Sequence, residues 1–160
     1  MGIADRHSLR AWLRAPGSLS QRLVRHGRFE VQVQRQTTAT QREPEPRQHG
    51  HPRPGCNFVR EVVLRVDGRP LVWARSSLHR SGLAGPWKAL KGLETKPLAT
   101  LLYADPRVSR SLLQPRRLAV QGATRRQMAR QWQQVTGEAP PRAMLWSRHS
   151  VFHRQGAPLR

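Results

Sequence analysis

One stretch constrains this chain more than any other. Asn57-Phe58-Val59-Arg60-Glu61-Val62-Val63-Leu64-Arg65-Val66 is rich in β-branched and aromatic residues, and Asp67-Gly68 separates it from the apolar run Leu71-Val72-Trp73. An Asp-Gly pair between two such runs is the signature of a tight hairpin, because both residues tolerate the positive φ that a two-residue turn demands. The chain is thereby committed to an antiparallel sheet. Phe29, Val31 and Val33 alternate with Glu30, Gln32 and Gln34 upstream, the period of a half-buried strand.

Helical signals surround this hairpin. Ser8–Leu13 places Leu9, Trp12 and Leu13 on one side, and Ser18 with Gln21 forms a capping-box pattern that opens a helix stopping near Gly27. Gly85-Pro86 and Lys96-Pro97 put proline where a first helical residue belongs, predicting helices over Pro86–Leu93 and Pro97–Tyr103. Ala123–Val135 reads as a helix with Met128, Trp132 and Val135 on one face and Gly137 after its end. Val108–Leu113, Leu118–Val120 and Met144–Phe152 read as strands, and Gln155-Gly156 as the start of a turn. Residues 37–56 carry Pro44, Pro46, Pro52 and Pro54 among polar neighbours and read as a loop. The order lacks the βαβ rhythm of a parallel sheet. The expected architecture is α+β: one domain over residues 1–160, an antiparallel β-sheet with helices packed on one face.

Arg60 is the most informative position. Side chains alternate faces along a strand, so Arg60 shares a face with Phe58, Val62, Leu64 and Val66 and points toward a core. A buried guanidinium needs an anionic partner: a bound ligand, a structural ion pair, or water reached by snorkelling at the strand's end. Leu19, in the first turn of the Ser18-capped helix, and Leu98, after Pro97, add backbone N–H groups at helix starts, where anions are favoured.

Composition narrows the field. The chain carries 29 Lys+Arg against 9 Asp+Glu, a formal charge of +20, which attracts anions of every kind: metabolites, acidic membrane surfaces, nucleic acid. Arg116-Arg117 and the Arg125–Trp132 stretch form a basic face of the sort that tracks phosphates, so a nucleic-acid-binding protein is one alternative. Cys56 is the single cysteine, which excludes a disulfide framework, and the His49, His51, Cys56 spacing lacks a fourth metal ligand. No uncharged stretch approaches the roughly 20 residues that span a bilayer, and Met1–Arg14 has no apolar core of a secretory signal. The cytoplasm is the expected location.

The hairpin and its surroundings resemble the chorismate–pyruvate lyase family. Phe58-Val59-Arg60-Glu61-Val62-Val63-Leu64 with Asp67-Gly68-Arg69-Pro70-Leu71 is similar to that family's central hairpin. The likeness continues through Arg75, Ser81-Gly82-Leu83-Ala84-Gly85-Pro86, Lys96-Pro97-Leu98 and Leu101-Leu102-Tyr103. Trp12-Leu13 and Gly17–Leu23 resemble its N-terminal helices, and Leu145-Trp146-Ser147-Arg148-His149-Ser150 a late strand. The resemblance implies elimination of pyruvate from chorismate to give 4-hydroxybenzoate for ubiquinone synthesis, without metal or cofactor. It implies that Arg60 and the main-chain N–H groups of Leu19 and Leu98 hold the product's carboxylate. A glutamate that contacts the 4-hydroxyl lies in the family's last strand. This sequence reads Gly156-Ala157-Pro158-Leu159-Arg160 and stops a few residues short of it, which implies a chain lacking that strand, leaving the Met144–Phe152 strand without its neighbour. No catalytic residue is therefore assigned. The segment 116–141 is longer than in short family members. The resulting expectation is a cytoplasmic monomer that takes chorismate and releases 4-hydroxybenzoate. It includes no nucleic acid, no transmembrane segment and at most weak contact with acidic membrane surfaces. A non-catalytic aromatic-carboxylate binding domain of the same fold is the other alternative.

Overall fold

A computed structural model describes residues 6–40, 56–118, 123–140 and 146–160. The hairpin is its centre. β2 (Cys56–Val66) and β3 (Arg69–His79) pair antiparallel across Asp67 (φ 50°) and Gly68 (φ 75°), the two positive-φ residues the turn requires. β1 (Phe29–Thr40) pairs along the other edge of β2, giving the order β1-β2-β3. β1 runs further than expected: Thr37–Thr40, read from sequence as the start of a loop, pair with Val59–Cys56. β-branched threonines suit a strand, and the ladder satisfies their backbone groups. Residues 41–55, with most of the Pro-rich loop, lie outside the described residues.

Two bulges shape this sheet. The register of β1 against β2 shifts between Val33 and Arg35, so Gln34 is the extra residue, and β3 carries another at Leu71 between Pro70 and Val72. The first has a chemical consequence. Val31 faces Leu64 and Val33 faces Val62, so a regular ladder would set Arg35 opposite Arg60. The bulge advances β1 by one residue and puts Gln36 there instead. A like-charge pair is replaced by a hydrogen-bond acceptor.

Before the sheet come α1 (Arg6–Arg14) and α2 (Leu19–Val24); the Ser18 hydroxyl caps α2 by accepting from the Gln21 N–H at 3.2 Å. After it come α3 (Arg80–Ala84), a 3₁₀ turn (Lys88–Gly92) and α4 (Ala99–Leu102). The expected helix over Pro86–Leu93 is this 3₁₀ turn, and the apolar spacing explains why. Trp87, Leu90 and Leu93 recur every third residue and are all buried, at 2%, 0% and 3% exposure, and three residues per turn stacks them on one face. The Trp87 indole N–H donates to the Ala157 carbonyl at 3.0 Å, which removes the cost of burying it.

The second half of the chain departs more from expectation. β4 is Ser109–Arg110 and β5 Gln114–Arg117; Leu118 lies beyond β5, and residues 119–122 are outside the described set. α5 (Ala123–Thr136) ends where Gly137, at φ 74°, donates its N–H to the Gln133 carbonyl. The single strand expected over Met144–Phe152 is two. β6 (Trp146–His149) pairs with β5, and β7 (Phe152–Arg154) pairs with β4, so the chain changes partner at Ser150-Val151. β7 also pairs with β8 (Ala157–Leu159) across a turn with Gln155 at φ 48° and Gly156 at φ 76°. The expectation that this strand lacks a neighbour is thus corrected: β7 has one on each side, because three residues beyond a tight turn suffice to pair. Arg160 then exchanges both backbone hydrogen bonds with Ser77, at 2.8 and 2.9 Å, tying β8 to β3. Among the described residues no strand pairs with the outer edge of β3 from Arg69 to Ser76.

Two buried clusters hold these parts together. One gathers Phe58, Leu78, Leu83, Trp87, Leu90, Leu93, Leu102 and Leu159; the other joins Leu23 of α2 to Val31, Leu64 and Val66 of the sheet. Truncating Leu90, fully buried in the first, is expected to cost about 2–5 kcal/mol. Between the clusters lies a cavity.

Candidate functional site

Arg60 sits at this cavity with 3% exposure. Its Nη1 donates to Gln36 Oε1 at 2.8 Å, and its Nη2 to the carbonyls of Glu94 and Lys96 at 2.8 and 3.2 Å. The acceptors are supplied by the β1 bulge and by the turn leading to α4. All three are neutral, and among the described residues no carboxylate pairs with Arg60. Burial lowers its pKa, yet an arginine so starts from far above neutrality and keeps its charge. Three of the five guanidinium N–H groups are used, so two remain for a ligand. The guanidinium is held in place by dipoles, with no counter-ion among the described residues.

Helix starts add donors on the same cavity. In α2 the Ser18 hydroxyl and carbonyl take the N–H groups of Gln21 and Arg22, while those of Leu19 and Ser20 donate to no described protein atom. At α4, Pro97, Leu98 and Ala99 accept from Thr100, Leu101, Leu102 and Tyr103, which leaves the N–H groups of Leu98 and Ala99. Leu19, Ser20, Leu98 and Ala99 all line the cavity. Thus Arg60, Leu19 and Leu98, picked out from sequence as separate positions, meet at one place.

The cavity encloses about 190 Å³. Val31, Val62, Leu64, Leu102 and Phe152 give it an apolar body, and Arg110 and Arg148 join Arg60 in its wall. Among the described residues its lining contains no carboxylate and no imidazole. Such a site selects a small ligand with an apolar middle and anionic ends. Glu61 and His149 stand elsewhere: Glu61 pairs with Arg75 at 3.7 Å, and the His149 ring contacts Gln114 Oε1 at 3.0 Å. Of the sequence's candidate metal group, His49 and His51 lie outside the described residues and Cys56 begins β2. Among the described residues no three histidine, cysteine or acidic side chains cluster.

A sequence model of chorismate lyase matches residues 4–159. The chain belongs to the chorismate lyase family. It is 39% identical over 156 residues to a probable chorismate pyruvate-lyase of Albidiferax ferrireducens, covering 97% of this chain and 79% of that protein. Proteins of the same description from Azoarcus sp. and Aromatoleum aromaticum are 38% and 37% identical, each over 94% of this chain and 79% and 80% of their own length. The matched span contains every cavity-lining residue of this chorismate lyase family member.

Among the lining residues that escaped sequence reasoning as site residues are Arg110, Arg148 and Tyr103. Arg110 donates to Ser150 Oγ (3.0 Å), the Gly17 carbonyl (3.4 Å) and the Tyr103 hydroxyl (3.1 Å), and lies 5.1 Å from the Phe152 ring centre. Arg148 donates to the carbonyls of Trp12 (2.9 Å) and Ala15 (3.4 Å). Neither sits in a strand whose apolar alternation is long enough to announce an inward charge. Arg148 and Tyr103 had a signal, their places in the family-like segments Leu145–Ser150 and Leu101–Tyr103.

Proposed function

We propose that this chain eliminates pyruvate from chorismate to form 4-hydroxybenzoate, with Arg60 and the N–H groups of Leu19 and Leu98 holding the ring carboxylate. The observation that carries the reading is the buried guanidinium of Arg60, which has neutral acceptors on one side, a cavity on the other and no carboxylate partner among the described residues. The reaction breaks the ring C4–H and C3–O bonds. The C–H electron pair enters the ring, which becomes aromatic, and enolpyruvate leaves and ketonises to pyruvate. Because aromatisation supplies the driving force, the protein's task is to bind a dianion, keep water out and orient the departing group. Guanidinium and amide donors suit that task. In the cell the product would feed ubiquinone synthesis, and the protein would act as a cytoplasmic monomer; no helix among the described residues is long and apolar enough to cross a membrane.

The test is direct. Purified chain is incubated with chorismate, and 4-hydroxybenzoate and pyruvate are quantified in parallel. Equal release of both supports the reading. Tight 4-hydroxybenzoate binding without any turnover would instead identify a binding domain of the same fold.

A further inference from the structure

We propose that Arg110 of β4 and Arg148 of β6 form a second anion subsite in the cavity, which takes the carboxylate of the enolpyruvyl side chain and so distinguishes substrate from product. This rests on the chorismate reading above and goes beyond it, since that reading assigns residues to the ring carboxylate alone. The observation behind it is that the two guanidiniums are fixed by neutral groups alone. Arg110 is held by Ser150, Gly17 and Tyr103, and Arg148 by the carbonyls of Trp12, near the end of α1, and of Ala15, just beyond it. Among the described residues neither has a carboxylate partner. The contrast lies close at hand, because the half-buried Arg154 of β7 pairs with Asp105 at 2.7 Å and Arg75 of β3 with Glu61.

The electrostatics agree. Burial and then the neighbouring Arg110 lower the pKa of Arg148, Tyr103 acts in the opposite direction and Arg22 lowers it further, so two cations are packed near each other with no carboxylate partner among the described residues. An anion between them relieves that repulsion. The Nη2 groups of both arginines donate to no described protein atom, so each retains donors for a carboxylate. Arg110 and Arg148 lie on different strands from Arg60, and all three line one cavity. A dianion whose two carboxylates are joined through an apolar ring fits such a pair of subsites. After elimination one carboxylate stays on the ring and the other departs with pyruvate, so the second subsite acts on substrate alone.

The experiment uses the full 160-residue chain and two probes that do not react: 4-hydroxybenzoate, with one carboxylate, and 3-(1-carboxyvinyloxy)benzoate, with two. Calorimetry is run on wild type, Arg110→Gln and Arg110→Lys. The expected result for Arg110→Gln is a loss of about tenfold or more in dicarboxylate affinity with 4-hydroxybenzoate affinity unchanged. Should that variant fail to fold, Arg110→Lys keeps the charge and loses the planar fork, and severalfold weakening confined to the dicarboxylate is expected. Unchanged dicarboxylate binding, or equal weakening of both probes, overturns the subsite while leaving the chorismate reading intact. Wild type that binds neither probe overturns both.

Discussion

Two arginine-rich regions of this molecule lie side by side and are wired differently. Between α4 and β4, Asp105 accepts from Arg107 at 2.9 and 3.0 Å and pairs with Arg154 at 2.7 Å; Arg154 also donates to the Pro86 carbonyl. There the chain provides its own carboxylate, and the result is a staple between the α4–β4 connection and β7. In the cavity, Arg60, Arg110 and Arg148 receive carbonyls, an amide oxygen and hydroxyls, which fix a guanidinium without neutralising it. The same side chain is structural where a carboxylate meets it and ligand-seeking where only dipoles do. In a protein with 29 Lys+Arg and 9 Asp+Glu, where the few acids are spent matters more than how many bases there are.

The sharpest way to break this comparison is to remove Arg60. Arg60→Ala is expected to cost about 2–4 kcal/mol of 4-hydroxybenzoate affinity, roughly 30- to 1,000-fold, while thermal unfolding still shows a folded domain. Calorimetry returning wild-type affinity in a folded mutant would reject the assignment. Arg60→Lys should restore only part of the loss, because an ammonium lacks the two-pronged geometry.

A second prediction concerns the edge of β3 that no described strand pairs with. Arg160 pairs with Ser77 in antiparallel register, so a strand appended after Arg160 would run back along Ser76, Arg75 and Ala74. Its third residue would fall opposite Ala74, which lines the cavity. An appended strand with glutamate at that position is expected to raise chorismate turnover by about tenfold or more over the unextended chain, and the same strand with glutamine is not. Equal rates in both extensions would mean that the strand acts only by covering the edge.

The backbone donors give a smaller effect. Leu98 has φ −55°, which proline accepts, and its N–H serves no described protein acceptor. Leu98→Pro is expected to weaken 4-hydroxybenzoate binding about fivefold with little change in fold, since a neutral N–H is worth roughly 1 kcal/mol. Leu98→Met and Leu19→Met should be nearly silent. Unchanged affinity in folded Leu98→Pro would show that this amide is not used.

The smallest effect belongs to the staple. Hydrogen bonds from Arg107, aided by the Arg107 and Arg154 charges, hold the Asp105 carboxyl well below the usual carboxylate range. A depressed folded pKa favours the ionised native state, so its contribution is present above the unfolded value near pH 4 and fades as pH falls further. Asp105→Asn should lower Tm by roughly one to three degrees at pH 7, with no change in ligand affinity. The difference from wild type should shrink in a melting series taken from pH 5 downward. Loss of 4-hydroxybenzoate binding in this variant would erase the distinction between the two regions.

Much of this was legible because local chemistry decides it. Asp67-Gly68 dictated a hairpin, Ser18 with Gln21 a helix start, and the alternation around Arg60 a charge aimed inward. The segments from Val108 onward were less readable. β4, β7 and β8 are too short for periodicity to register, and they exist because partners distant in sequence satisfy their backbones.

What sequence alone determined, then, is the antiparallel hairpin, the capped helix before it and the inward arginine, each the outcome of forces acting over a few residues. What only the tertiary structure decided is the company Arg60 keeps. The bulge at Gln34 replaces Arg35 by Gln36 opposite it, the turn before α4 lends two carbonyls, and two helix starts and two further arginines converge on the same cavity. Register and convergence depend on how strands far apart in the chain pack together, and alternation within one strand carries no information about them.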